Sequence, residues 1–160
     1  MISLTATPEE LLAAYKAGPA LLRESLAGLD DDALHARPIA GKLSSVEVAC
    51  HVVDSDQFMC DRIKRTIATH RPVLIGVESI DYDLALHYNE RNLELDLHLL
   101  EVQRQQVVED LERLDPAIWE RVALHSENGE QTLHEIFHHA VEHLEDHVER
   151  IWEKRRAMGL

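Results

Sequence analysis

Eleven histidines in a chain of 160 residues are the first feature with chemical consequences. Six of them, His125, His134, His138, His139, His143 and His147, fall in the last quarter of the chain. A helix turns about 100° per residue, so residues four apart lie about 40° apart and share a face. His139 with His143, and His143 with His147, are such pairs, and each could chelate one ion. The apolar arc of this segment is drawn by Leu133, Ile136, Ala140, Leu144 and Ile151, and His143 and His147 border it. They are expected to point inward, with His139 one step further out and His134 and His138 on the opposite, more solvated side.

Two imidazoles hold a divalent ion weakly, so a working site needs a third ligand from another helix, with positions left open for water or substrate. His51 is the best placed candidate, on the border of the stripe formed by Val48, Val52 and Met59. The expected metal ligands are therefore His51, His143 and His147. Asp54 and Asp56, in the turn after His51, offer a general base or a carboxylate that orients an imidazole. Asp54 is the candidate catalytic residue. His134-Glu135-Ile136-Phe137-His138 satisfies the HExxH pattern of zinc proteases. Its outward face and the absence of a mixed architecture argue against that use.

The elements that must position these groups are long helices. Thr7 with Glu10, Ser44 with Glu47, and Thr132 with Glu135 each form a capping-box pattern at a helix start. The first helix should run from Pro8 to about Ala27, kinked or interrupted at Gly18-Pro19, and a short helical turn should follow Asp30. The second should run to the neighbourhood of His70. Arg71 to Val77 contains a short apolar run that could pass for a strand but has no evident partner, and it is expected to be a long crossover loop. A third helix is expected over Asp83 to Leu114, and the turn Ser126-Glu127-Asn128-Gly129 should precede the fourth. Four amphipathic helices pack most naturally as a single all-α four-helix-bundle domain over residues 1–160.

The stretch from Lys42 through Ser44, Glu47 and His51 to Ser55, followed far downstream by His143, His147, Val148 and Ile151, resembles the DinB/YfiT-like family of metal-dependent enzymes. The resemblance spans essentially the whole chain, with Leu43 standing where the family usually carries Trp. It implies a four-helix bundle with a metal held by one histidine on the second helix and an HxxxH pair on the last, which fall on His51, His143 and His147. Members include hydrolases and low-molecular-weight-thiol transferases or isomerases. The expected chemistry is thus a divalent ion, zinc or nickel, activating water or a thiol on a small-molecule substrate. The competing class is a non-catalytic metal-binding or stress-associated helical module.

A formal charge of −14 disfavours phosphate backbones and anionic lipid, so neither nucleic acid nor membrane is an expected partner. Cys50 and Cys60 sit about 15 Å apart along one helix, beyond disulfide reach, and are read as packing thiols. The opening MISLTATPEE has neither the basic flank nor the apolar core of a signal peptide, and a cytoplasmic location is expected. Leu84, Val122 and Trp152 could form the interface of a homodimer.

Overall fold

A computed structural model of the chain describes residues 2–77 and 80–160. The order of elements is α1 (Pro8–Leu26), α2 (Asp31–His35), α3 (Ser45–Ala68), β1 (Val73–Leu74), α4 (Ile80–Leu86), α5 (Leu93–Glu112), β2 (Val122–His125), β3 (Gly129–Thr132) and α6 (Leu133–Met158). Short 3-10 turns cover Tyr88–Glu90 and Pro116–Glu120. All three capping boxes form, at Thr7, Ser44 and Thr132, with the cap hydroxyl and the acidic side chain each taking a backbone N–H of the other residue. The start of each major site-bearing helix is therefore set by local chemistry. Among the described residues, no helix is long and apolar enough to cross a membrane.

The bundle is built from α1, α3, α5 and α6. Both α1 and α3 pack against the other two, so α1 and α3 stand diagonally across the bundle. That arrangement brings α3 against α6 and makes a site shared by them possible. Two apolar clusters fill the interior. One gathers Leu11, Tyr15, Ile63, Val107, Trp119 and Phe137, and the other Leu22, Val52, Val53, Leu100, Leu144 and Ile151.

A polar layer crosses the core at the level where the clusters meet. Arg104 of α5 is 2% exposed and lies where the apolar stripe of its helix would place a hydrophobe. Its Nε and Nη2 donate to Asp56 Oδ1 of α3 at 3.0 and 2.6 Å, Nη1 to the Tyr15 carbonyl of α1, and Nη2 also to the Ala140 carbonyl of α6. The guanidinium stands 4.1 Å from the Tyr15 ring centroid. One buried cation thus touches all four helices. Gly18 leaves room for it, since a Cβ there would overlap Arg104 Nη1. Helix α1 continues through Gly18-Pro19, so of the kink or interruption expected there the interruption does not occur.

Three further expectations are corrected. The 71–77 segment does find a partner: Val73 and Leu74 pair in parallel with Leu124 and His125, and β2 pairs antiparallel with β3. These strands are too short for period-two patterning to reveal them. Gly129, at φ +75, closes the three-residue hairpin loop at the expected turn. The expected third helix is broken: His87 adopts φ +50, Tyr88–Glu90 form a 3-10 turn, and Asn92 caps a new helix through Leu95 N–H. This break turns Tyr88 into the core. Finally, His138 is buried and His134 half-buried rather than both lying on a solvated face. The N-terminal segment lies over them, and their Nε2 atoms bond the Ala6 and Ser3 carbonyls.

Candidate metal centre

Helix α3 begins at a firmly fixed end. Glu47 takes the Ser44 N–H and is bound by Arg37 Nε at 2.9 Å and Asn89 Nδ2 at 3.0 Å. His51 follows four residues later, on the face turned to α6. There it meets His143 and His147, about three and four turns beyond the Thr132 cap.

The three imidazoles lie against one another. His51 Nε2 is 3.3 Å from His143 Nε2, and ring centroids are 4.7 Å apart for His51 with His147 and 4.2 Å for His143 with His147. One nitrogen from each lies within 4.8 Å of the others. Two nitrogens bonded at about 2.0–2.1 Å to one tetrahedral ion stand roughly 3.3–3.4 Å apart, so the His51–His143 spacing suits a shared cation. His147 Nδ1 donates to the His143 carbonyl at 2.8 Å, which leaves the lone pair on Nε2.

Burial is the main force on protonation here. It lowers the pKa of all three groups, and the neighbouring imidazoles and Arg150 push His143 and His147 further down. His147 falls to about 4, while the Asp54 charge partly offsets the shift of His51. The donor set is therefore neutral at pH 7, the state that metal ligation requires.

Asp54 is engaged elsewhere. Tyr88 OH donates to Oδ2 at 2.8 Å, Arg91 Nη1 donates to both oxygens at 2.8 and 2.9 Å, and Gln57 adds a longer contact. Arg91 also binds Asp96, whose other oxygen accepts from the Cys50 thiol. Burial and the Asp96 carboxylate push that thiol's pKa well up, and burial raises Cys60 to about 12. Both cysteines are thiols packed inside the bundle. Asp56 belongs to the Arg104 layer.

Two cavities flank the imidazoles. One of about 340 Å³ is lined by His143, His139, His125, Arg62, Glu127 and Phe58. His139 thus lies beside the cluster, its ring centroid 6.2 Å from that of His143. The other, about 420 Å³, is bounded by His51 and His147 together with Leu43, Val48, Arg150 and Lys154. Sequence reasoning missed Arg150 and Lys154. A signal was present for Lys154, which lies seven residues beyond His147 and so on nearly the same helix face.

The profile of the DinB superfamily matches residues 14–151. YfiT from Bacillus subtilis, described as a probable metal-dependent hydrolase with an unusual four-helix bundle topology, superposes with a TM-score of 0.89 at 19% identity, over 99% of this chain and 93% of that one. The mycothiol-dependent maleylpyruvate isomerase superposes with a TM-score of 0.71 at 12% identity, over 93% of this chain and 62% of that one. No curated protein sequence matches.

Proposed function

The chain belongs to the DinB superfamily, and on that premise we propose that it is a metalloenzyme in which His51, His143 and His147 hold one divalent ion, zinc or nickel, for work on a small molecule. The observation that carries this reading is the meeting of three neutral imidazoles from two helices, with two Nε2 atoms 3.3 Å apart. An ion with three uncharged ligands keeps its full charge and would supply Lewis-acid activation of a water or a thiol. Hydrolysis and thiol transfer are both open. The two similar structures support one each, a probable hydrolase and a mycothiol-dependent isomerase.

The protein's own groups have separable roles in this reading. The His143 carbonyl fixes the His147 tautomer, and burial keeps the imidazoles unprotonated. Asp54 acts as a fixed negative charge near His51 rather than as a proton carrier, because Arg91 and Tyr88 occupy its oxygens. That engagement favours a second reading, a non-catalytic metal-binding or stress-associated module. Among the described residues, none of the three imidazoles has a carboxylate hydrogen-bonded to it.

The test is to load the protein with zinc and, separately, nickel. It is then offered nitrophenyl esters, anilide amides, and a small thiol paired with a halogenated aromatic electrophile. The enzymatic reading expects one of these reactions to run with metal present and to stop in His143→Ala. A fully loaded protein that turns over none of them would sustain the second reading.

A further inference from the structure

The cavity beside His51 and His147 runs against the charge of the molecule. In a chain of net charge −14, three cations, Lys42, Arg150 and Lys154, line one space of about 420 Å³. Lys154 is only 3% exposed, and its single acceptor among the described residues is the Arg150 carbonyl, 3.1 Å from Nζ. An ammonium has three N–H donors, and a buried lysine without an acidic partner is uncommon. Neither Lys154 nor Arg150 forms an ion pair among the described residues. Arg150 instead donates weakly to His147 Nε2 at 3.4 Å. Among the described residues no acid forms an ion pair with either cation: Asp83 and Glu153 line the same space, and Glu153, which is exposed, and Glu47 act on the Lys154 charge only at longer range.

The opposite cavity differs. Its cation, Arg62, is spent on the Ile75 carbonyl and shares the space with Glu127. Of the two cavities, the His51–His147 side combines a buried cation that has no acidic ion-pair partner among the described residues with apolar walls, which are supplied by Ile39, Leu43 and Val48. Its volume lies in the range of small-molecule pockets.

We propose that this cavity is the substrate subsite and that it takes a small organic carboxylate with an apolar body, its carboxylate held by Lys154 and Arg150. The assignment deepens the metalloenzyme reading and rests on it for the chemistry, though not for the binding. Arg150 and Lys154 lie three and seven residues beyond His147, about 4.5 and 10.5 Å along the helix axis. The carboxylate therefore sits several bonds from the group presented to the imidazoles. Lys42, on the exposed side, closes the cationic end.

Binding is measured by titration calorimetry on metal-free protein in chelator, with phenylbutyrate as the probe and the uncharged phenylbutyramide as its comparison. Phenylbutyrate should bind about tenfold or more tightly than the amide, the fold-change a charge-assisted hydrogen bond carries. Lys154→Met and Arg150→Gln should each remove most of that preference. Arg150 is exposed, so its variant keeps the test open if Lys154→Met folds poorly. Equal affinity for acid and amide, no binding of the acid, or parental preference in both variants would overturn the subsite. Zinc uptake, measured on a separate portion of each protein reloaded with zinc after the chelator is removed, reports separately on the metal: selective acid binding by a protein that takes up no zinc would keep the subsite and reject the metal reading.

Discussion

Removing the Asp56 carboxylate should expose how much the Arg104 layer holds together. In Asp56→Ala, Arg104 keeps the Tyr15 and Ala140 carbonyls but loses its one ion-pair partner among the described residues, while remaining in a site where it is 2% exposed. Gln103 Nε2, 2.8 Å from Asp56 Oδ2, loses its acceptor as well. Stranding one partner of a buried ion pair costs about 3–5 kcal/mol. A domain of this size is stable by about 5–15 kcal/mol, so the variant should stay folded but lose a large share of its margin. At about 2–4 °C per kcal/mol, the midpoint should drop roughly 6–20 °C. The paired replacement Asp56→Leu with Arg104→Met removes both charges, and it should recover most of the loss. Thermal melts and urea titrations of the three proteins decide the matter. A single variant melting within about 2 °C of the parent, or a double variant as unstable as the single one, would refute this account of the layer.

Two further outcomes follow from the site. Asp54→Asn weakens the Arg91 and Tyr88 contacts and should cost about 1–3 kcal/mol in a urea titration while the protein still takes up zinc; an unchanged stability with abolished turnover would instead make Asp54 a proton carrier. In metal-free protein, half-buried His143 and buried His147 titrate below an ordinary histidine, so the folded state binds fewer protons than the unfolded chain. Their contribution is whole above about pH 6.5 and is lost as pH falls toward about 4 for His147 and further down for His143, with roughly 2–4 kcal/mol gone by pH 5 after allowance for partial exposure. His143→Gln with His147→Gln should flatten the stability change between pH 7 and 5 relative to the parent; parallel curves for the two proteins would contradict the neutral assignment.

What was legible in the sequence was local. Capping boxes at Thr7, Ser44 and Thr132 need only four consecutive residues, and the face shared by His143 and His147 follows from helical pitch. His51 could be picked because it borders an apolar stripe on a well-marked helix. Contacts between distant segments left little trace. The pairing of Val73 and Leu74 with Leu124 and His125 joins strands of two and four residues. The break at His87 uses positive φ at a residue that is neither glycine nor proline, so no breaker marked it. His134 and His138 looked outward because helical pitch cannot foresee the N-terminal segment laid over them. Arg104 interrupts an otherwise apolar stripe and reads as a surface position until the Asp56 carboxylate is seen across from it.

The central claim is that one divalent ion is shared between α3 and α6, and elemental analysis of purified protein beside His51→Ala and His143→Ala tests it most directly. About one equivalent of zinc or nickel is expected in the parent, lost in both variants while their helical spectra stay intact. No metal in the parent after reloading with both ions, or full retention in either variant, would contradict it.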